Sequence, residues 1–442
     1  MIQRNFWRNV LPSVIAFAFS GVYSIVDGMF VGQGVGDAGL AAINVAWPVT
    51  ALVQALGTGL GMAAAVVLSV CIGRRDAAEE HRALGSTAVL LLLAGVLSTA
   101  LLALLYRPLL PLLGAEGSVL AYADSYTRVI VLGSLFQVLG TGLVPLLRTY
   151  DGADAAMCSM TAGFLTNVVL DALFISVFRW GTAGAAAATV IAQGVSAAGI
   201  ALYGWRRVPL LRLERRHCKV SRGELGRIMN YSLLTCVQQS VMNFGILMVQ
   251  GLVNSFGVNV MAAFAAAVKI DAFAYLPVQD FGNAFSTFVA QNTGAQKAER
   301  IRKGIRSALW VSVGFCLVSS LLVCLFAAPL MGLFVEPGET EIIAVGVEYL
   351  RIEGMCYCGI GILFLLYGLF RGLGRPGVSV VLTVVSLGTR VALAYLLAPI
   401  PAVGLKGIWW AVPIGWVLAD LAGLVLYRRK PLPAETACAP EG

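Results

Sequence analysis

Residues Leu11 to Gly36 read LPSVIAFAFSGVYSIVDGMFVGQGVG, an apolar run long enough to cross a bilayer that contains one carboxylate, Asp27. Charged groups inside spanning helices are costly, and they usually face a bundle interior or a water-filled cavity on the path of an ion or a substrate. Pro12 lies near the start of the run, and Gly21 and Gly28 flank the acid, so a straight helix is weakened here. The stretch predicts a first spanning helix that carries a functional acid and a hinge at Pro12, Gly21 and Gly28.

The composition of the whole chain indicates an all-α polytopic membrane protein. Of its 442 residues, 59% are hydrophobic and 12% are charged, and the mean hydropathy is +0.84. A soluble domain carries about 25% charged residues. With about 20 apolar residues per crossing, we predict twelve spans, at residues 11–33, 41–72, 84–106, 122–148, 156–178, 183–205, 228–256, 260–290, 305–328, 343–371, 377–398 and 406–427. Pro48, Pro145 and Pro277 predict kinks within them.

The positive charges are distributed as expected for a membrane topology signal. The net charge is +8, and nearly all Lys and Arg outside the spans lie in the even-numbered connections, above all between Trp205 and Arg227. Because cytoplasmic loops carry the excess of Lys and Arg, both termini are predicted to be cytoplasmic, in a multi-pass protein of the cytoplasmic membrane. The membrane topology therefore explains the net positive charge, and we predict no nucleic-acid partner. His81 and His217 fall in basic loops and most cysteines in spans, so we predict neither a disulfide framework nor a metal centre of Cys and His.

The two halves of the chain repeat each other. Gly36 aligns with Gly257 at an offset of 221 residues, and Tyr126 aligns with Tyr349 at an offset of 223. Each half contains an even number of spans, so both have the same orientation and should be related by an axis along the membrane normal. The predicted domains are an amino lobe at residues 1–204, a basic cytoplasmic linker at residues 205–227, and a carboxy lobe with a short cytoplasmic tail at residues 228–442.

Several spaced fragments resemble a known family. They are VDGMFVGQGVGDAGLAAINVAWP (Val26 to Pro48), LLRTYDGADAAM (Leu146 to Met157), TNVVLDALFI (Thr166 to Ile175), AQNTGAQK (Ala290 to Lys297) and LFRGLGRPG (Leu369 to Gly377). Together, along nearly the whole chain, they are similar to the multidrug and toxic compound extrusion (MATE) family. This resemblance implies a cation-coupled exporter in which two pseudo-symmetric six-helix bundles surround a central cavity.

The resemblance also implies the position of the coupling site. The family's amino-lobe site has an acid in the first helix, Asn-x-x-x-Asp in the fifth and a threonine in the sixth. The matching residues here are Asp27, Asn167, Asp171 and Thr189. A second acidic pattern of some branches, with a glutamate in helix seven and an aspartate in helix ten, is missing. Helix seven offers Gln238 and Gln239, and the core of helix ten, Met355 to Phe370, holds no acid, so coupling is expected in the amino lobe.

Helix geometry supports the same cluster without the family. Asn167 and Asp171 are four residues apart and share a helix face. From the predicted span ends, Asp27, Asp171 and Thr189 lie roughly 8–11 Å below the outer boundary. Their oxygens suit Na⁺, and desolvated, mutually repelling carboxylates suit a proton, so either ion fits. Asp27 could instead be a packing group, and Asp171 could lie at the interface. The equivalent positions in the second half favour a functional role, because they are Met248, Arg390, Ala394 and Val412.

Other polar and aromatic groups are less specific. Tyr23 in the first span, together with Gln238 and Gln239, could line the cavity, although aromatic side chains in membrane helices more often face lipid or a neighbouring helix. Four further residues could line the carboxy-lobe cavity or form interhelical ion pairs, and the second interpretation is favoured. They are Lys269, Asp271, Asp280 and Arg390.

Three functions compete on this sequence. The favoured one is an H⁺-coupled or Na⁺-coupled antiporter, a monomer without a cofactor, that exports amphipathic, cationic compounds by alternating access. The alternative is a lipid-linked sugar or lipid flippase of the same broader superfamily, for which a cavity lined by many basic residues is expected; here the only cationic candidates are Lys269 and Arg390. A membrane-embedded enzyme would need a metal cluster or a nucleophile–base motif, and the sequence offers neither.

Overall fold

The computed structural model describes residues 29–150, 152–207, 222–335 and 338–429, and within these ranges the chain is helical and has no strand. The first predicted span, residues 11–33, lies mostly outside them. The predicted acid and hinge of that span, and one cavity candidate, therefore lie outside the described residues. These are Pro12, Gly21, Tyr23, Asp27 and Gly28.

The helices are numbered here in chain order. In the first half they are α1 (Asp37–Arg74), α2 (Ala77–Leu112), α3 (Gly117–Leu132), α4 (Ser134–Thr149), α5 (Ala153–Asp171) and α6 (Gly181–Arg207), with a π-helix, Ala172–Val177, directly after α5. In the second half they are α7 (Arg222–Asn254), α8 (Val258–Gly294), α9 (Ala298–Leu325), α10 (Ala327–Met331), α11 (Thr340–Met355), α12 (Tyr357–Gly372), α13 (Pro376–Leu397) and α14 (Gly404–Arg429).

The described helices reproduce the predicted spans from the second onward. Nine of them are long and apolar enough to cross a membrane, and the pairs α3–α4 and α11–α12 bring the number to 11 when each bent pair counts as one span. These crossings coincide with predicted spans 2 to 12, apart from shifts at their ends. The prediction of an all-α polytopic fold is confirmed within the described ranges. A helix suits a spanning segment because it satisfies all backbone polar groups within that segment.

The breaks between the paired helices of the described chain do not lie at Pro48, Pro145 or Pro277, and the kinks predicted at these prolines stay predictions. The helices that contain these prolines continue through them. The breaks lie instead at Gly133, with 56° between α3 and α4, and at Cys356, with 52° between α11 and α12. A proline removes one backbone N–H, which neighbouring groups in a packed bundle can compensate. At Gly133 and Cys356 the backbone N–H closes a tight turn onto the carbonyl three residues earlier, over 3.0 and 2.9 Å, and the helix ends.

The chain divides into two compact units. The first unit contains the described residues up to Leu68 together with Asp76–Cys236, and the second contains Ser69–Arg75 together with the described residues from Val237 onward. Each unit contains one of the two bent pairs. The boundary predicted at the linker of residues 205–227 stays a prediction, because most of that linker lies outside the described residues.

The same kind of helix contact occurs inside each unit. In the first unit α1 approaches α4 at Gly61, where a Cβ atom would overlap the backbone carbonyl of Gly142. In the second unit α8 approaches α12 at Gly282, where a Cβ atom would lie 2.5 Å from the carbonyl oxygen of Phe364. Gly61 and Gly282 are related by the repeat offset of 221 residues. The sequence repeat therefore corresponds to a repeated packing contact, made possible by small residues that let two backbones approach closely.

Candidate functional site

Three of the four predicted coupling residues meet where α5 packs against α6. Asn167 and Asp171 lie one turn apart on α5, and Thr189 lies on α6. The Asn167 amide nitrogen donates to Asp171 Oδ2 over 2.8 Å, and its oxygen accepts the backbone N–H of Thr189 over 3.1 Å. We assign this orientation because the reverse one turns the amide oxygen toward other acceptors. The amide thus ties the carboxylate of α5 to the backbone of α6.

The site is buried at its carboxylate end and more open at its hydroxyl. Asp171 is 0% exposed and Asn167 is 1% exposed, whereas Thr189 is half-buried. Thr189 Oγ1 lies 3.4 Å from the Asn167 amide and donates to the carbonyl of Ala185 over 3.0 Å. The three side chains therefore offer carboxylate, amide and hydroxyl oxygens within one small volume.

A π-helix begins immediately after the buried acid. Asp171 is the last residue of α5, and the π-helix runs from Ala172 to Val177. The Phe174 ring in this segment stacks on Trp180, with 4.7 Å between the ring centroids. Short π-helical segments within α-helices occur frequently at functional sites. The change in helical geometry places Asp171 at a local irregularity of its span, and the sequence analysis contained no signal for it.

The chain that follows Asp27 packs beside the same helices. Val31, four residues later in the sequence, is fully buried in an apolar cluster with Ile175 and Ala185. Gly34 makes a close approach, since a Cβ atom there would overlap the side chain of Ile175. Asp27 itself lies outside the described residues, so its participation in the site stays a prediction.

The cavity candidates of the second unit differ in burial. Gln238, Asp271 and Asp280 are buried, Gln239 and Arg390 are half-buried, and Lys269 is exposed. The carboxylate of Asp271 accepts hydrogen bonds from the hydroxyl groups of Tyr349, over 2.8 Å, and Tyr357. The hydrogen bonds of Asp271 thus come from tyrosine hydroxyls, and its role in an interhelical ion pair stays a prediction. A cavity-lining role for these residues stays a prediction.

The sequence analysis missed one buried acid, Glu353. It is 3% exposed on α11, and its buried Oε1 has no hydrogen-bond partner among the described residues. It lies two residues before the stretch Met355 to Phe370, the predicted core of helix ten. Its spacing of one turn after Tyr349, inside an apolar run, was the available signal.

A duplicated, all-helical membrane domain with buried carboxyl groups in its units is typical of a membrane transporter. A family model described as MatE matches residues 12–173 and 234–396, one match in each half of the chain. The chain therefore belongs to the MatE family, as the motifs in the sequence predicted.

Individual relatives agree with this assignment over nearly the full length. The "Probable multidrug resistance protein YpnP" of Bacillus subtilis is 26% identical over 428 residues, which are 95% of this chain and 93% of that protein. The "FAD transporter" of Shewanella oneidensis is 26% identical over 451 residues, 97% of this chain and 95% of that protein. A solved structure described as the outward-facing conformation of a multidrug resistance MATE family transporter shares 25% identity and a TM-score of 0.91, with 97% of this chain and 95% of that chain covered.

Membership of this family makes the protein a multi-pass integral membrane transporter. It does not favour the flippase alternative, and the matches are to transporters and not to enzymes. The two-lobed helical fold implied by the resemblance is shared with the solved relative.

Proposed function

We propose that this protein is an antiporter that exports amphipathic, cationic small molecules across the cytoplasmic membrane in exchange for entering H⁺ or Na⁺. The descriptions of YpnP and of the solved MATE transporter as multidrug resistance proteins support export of drug-like compounds by a chain that aligns with both over nearly its whole length, and the amphipathic, cationic character of the cargo is part of the proposal. The distribution of Lys and Arg supports an orientation with both termini in the cytoplasm. The protein works as a monomer in the bilayer and needs no cofactor besides the coupling ion.

The observation that carries the proposal is the buried contact of Asp171, Asn167 and Thr189. An ionised carboxylate inside a membrane bundle is costly unless a proton, a cation or a set of donors neutralises it. Asp171 binds the ion, the Asn167 amide holds that carboxylate in place, and Thr189 adds a hydroxyl oxygen. Carboxylate, amide and hydroxyl oxygens are the hard ligands that suit Na⁺, and the same carboxylate accepts H⁺.

Asp27 supplies the second carboxylate of the proposed site. The packing of Val31 and Gly34 against Ile175, on the segment that follows Asp171, supports this placement of the first span. Two neighbouring carboxylates repel each other when both are ionised, so ion entry favours a conformation in which they lie close together. Bending of the first span at Pro12, Gly21 and Gly28 then couples ion binding to cargo release.

Antiport follows if ion and cargo favour different conformations. A ligand shifts a conformational equilibrium only by its differential affinity for the two states. The ion must therefore stabilise the state that releases cargo, and cargo must stabilise the ion-free state. Neutralising Asp27 or Asp171 by mutation mimics ion loading without supplying an ion, so we expect either change to uncouple export from the gradient.

The test is export from proteoliposomes under imposed gradients. The reconstituted full chain is loaded with a fluorescent cationic dye, and its efflux is recorded with an H⁺ gradient, with a Na⁺ gradient, and with each dissipated separately. Asp171→Asn should lose gradient-driven efflux. Asp154→Asn, an exposed acid near the start of the same helix, is the matched control and should retain it. Efflux by Asp171→Asn at the parent rate would contradict the proposed coupling site.

The cargo class needs its own comparison because the FAD transporter of Shewanella oneidensis is as similar to this chain as YpnP is. FAD is an anionic dinucleotide, whereas the proposed cargo is cationic. FAD and a cationic dye should therefore be offered to the same proteoliposomes. Transport of FAD with exclusion of the dye would contradict the proposed cargo while leaving the ion site untouched.

A further inference from the structure

Helix α8 of the second unit has a single exposed charge. Of its three charged residues, Asp271 is 5% exposed and Asp280 is 7% exposed, whereas the Lys269 side chain is exposed. Lys269 lies nine residues after the predicted start of the span at residue 260, and therefore roughly 14 Å below that boundary. A hydrocarbon core is about 30 Å thick, so this lysine lies near its middle.

A lysine at this depth needs water or an anionic partner. Charged side chains inside a membrane almost always face the interior of a bundle or a water-filled cavity, because lipid chains offer them no hydrogen bonds. Lys269 takes part in none of the ion pairs within the described ranges. The acid closest to it in sequence, Asp271, accepts the hydroxyl groups of Tyr349 and Tyr357. Among these residues, the Lys269 ammonium group is thus left for solvent or for a bound molecule.

The face of α8 that carries Lys269 is partly polar along its length. Phe273 is exposed one turn after the lysine, and Leu276 continues the face at a half-buried position. Two polar side chains, Asn283 and Thr287, follow on the same side and are also half-buried. Spacings of three, four and seven residues keep all of these on one side of a helix. A face that combines a lysine, an amide and a hydroxyl is suited to contact with water.

Helix α9 shows a different kind of surface in the same unit. No charged residue follows Arg306 in this helix. The large side chains exposed over its last nine residues are all apolar and at least half exposed, and they are Leu317, Val318, Leu321, Leu322 and Leu325. Such a surface suits lipid chains, which accept no polar group without a cost. The contrast indicates that α9 faces lipid at this depth and that the Lys269 face of α8 borders a water-filled cavity.

The first unit shows that the fold does not require a cation at this position. By the repeat offset of 221 residues, Lys269 corresponds to Pro48 of α1. The two helices are equivalent in packing, as the related close contacts at Gly61 and Gly282 show. Helix α1 forms without a charge at the equivalent position. Packing therefore does not explain the lysine, and a costly charge in a span needs a further reason.

An ammonium group in such a cavity discriminates between ligands by their charge. It donates hydrogen bonds to a carboxylate or a phosphate, and it repels a second cation. Both effects are stronger than in bulk water, because walls of low dielectric constant focus the field of the charge. Phe273, one turn further along the same face, is 45% exposed and offers an apolar contact beside the charge. The two side chains together suit a ligand with an apolar body and a negative group.

We propose that Lys269 binds a negative group of the cargo, a carboxylate or a phosphate, in a water-filled cavity of the second unit. This inference rests on the proposed function and narrows its cargo class from amphipathic cations in general to zwitterions, which carry a negative group beside their positive charge. Lys269 makes the charge contact, and Phe273 packs against the apolar body of the cargo. The contact is separate from the ion site at Asp171.

Equilibrium binding of two forms of one dye to the purified full chain tests the selectivity. A rhodamine with a free carboxylic acid is a zwitterion at neutral pH, and its ethyl ester is a cation with nearly the same apolar body. The parent should bind the acid more tightly than the ester in fluorescence anisotropy titrations. Lys269→Met should weaken binding of the acid relative to the ester by about tenfold, or about 1.4 kcal/mol, and Lys269→Arg should keep most of the preference. The same acid-to-ester ratio in the parent and in Lys269→Met would overturn the proposal.

Three controls identify the group that Lys269 binds. Lys303→Met removes an exposed lysine near the start of α9, paired with Glu299 over 2.6 Å, and should keep the ratio of the parent. Asp171→Asn should also keep it, because binding in detergent needs no ion gradient. A parent that binds the acid preferentially but exports neither dye would therefore refute the proposed function and leave this contact standing. Anionic phospholipid added to the detergent should not change the ratio; complete loss of the preference on this addition would show that a lipid headgroup occupies Lys269, and would overturn the assignment to cargo.

Thiol labelling in proteoliposomes tests whether the Lys269 position is open to water. Lys269→Cys should react with a charged, water-soluble methanethiosulfonate, whereas Leu317→Cys, on the exposed apolar face of α9, should not. Reaction is counted beyond that of the parent, whose own cysteines include the exposed Cys158. A Lys269→Cys variant that reacts no faster than Leu317→Cys would place the side chain in lipid and overturn the proposal.

Discussion

Replacement of Asn167 by alanine removes the connection between the buried acid of α5 and the backbone of α6. The change deletes one hydrogen bond to Asp171, of 2.8 Å, and one from the backbone N–H of Thr189, of 3.1 Å. Asp171 is 0% exposed, so water cannot readily replace the lost donor. We therefore expect Asn167→Ala to destabilise the first unit and to weaken gradient-driven export.

The expected loss of stability in Asn167→Ala follows from these two hydrogen bonds. A hydrogen bond to a charged group contributes roughly 1.5–3 kcal/mol and a neutral one roughly 0.5–1.5 kcal/mol in soluble proteins. Interhelical hydrogen bonds measured in a membrane protein average only about 0.6 kcal/mol, with a maximum of about 1.7. Two such bonds amount to about 1.2 kcal/mol on the membrane average and to roughly 2–4.5 kcal/mol on the soluble scale, so for Asn167→Ala we expect a loss of about 1–3 kcal/mol, toward the membrane value.

Thr189→Val is the matched control. It removes a hydroxyl that donates to Ala185 in its own helix over 3.0 Å, and it keeps the backbone N–H that binds Asn167. We expect a cost below about 1 kcal/mol. Thermal unfolding of the purified variants in one detergent measures the stability loss of Asn167→Ala and of Thr189→Val. Each kcal/mol lost should lower the melting temperature by about 2–4 °C. The reasoning fails if Thr189→Val lowers the melting temperature as much as Asn167→Ala does.

Two further predictions concern topology and packing. Reporter fusions at Lys430 and within residues 336–340 should report opposite sides of the membrane, because the basic connections are cytoplasmic; reports from the same side would show that the topology is wrong. Gly282→Val should destabilise the protein by about 1–3 kcal/mol in thermal unfolding, because its Cβ would lie 2.5 Å from the Phe364 carbonyl oxygen, whereas Gly251→Val, with no neighbouring atom within 4 Å, should cost much less. Equal effects of the two glycine variants would contradict the packing argument.

The spans were predictable because their length is a property of the bilayer. A run of about 20 apolar residues needs no tertiary contact to be recognised, and predicted spans 2 to 12 reappear as described helices or bent pairs. The contact between Asn167 and Asp171 was predictable for a similar reason, since a spacing of four residues puts two side chains on one helix face. The place of Thr189 in the site could not be predicted from helix spacing alone. It also required the family resemblance and the depth of the residue below the predicted membrane boundary.

The helix breaks and the burial of Glu353 depend on tertiary structure. Cys356 has no helix-breaking chemistry of its own, so local propensity gave no signal for the break between α11 and α12, whereas the helix that contains Pro277 continues through it. Glu353 was missed because the predicted core of helix ten begins two residues after it, at Met355. Its burial, to 3% exposure, arises only when α11 packs in the folded unit.

Cargo-driven ion movement tests the coupling claim most directly. Proteoliposomes that contain the full chain receive a transported cation on one side, with no imposed ion gradient, and the counterflow of H⁺ and of Na⁺ is measured. The parent and Asp154→Asn should move one of these ions against the cargo, and Asp27→Asn and Asp171→Asn should move neither. Ion counterflow in Asp171→Asn equal to that of the parent would contradict the assignment of the coupling site to the buried carboxylate of α5.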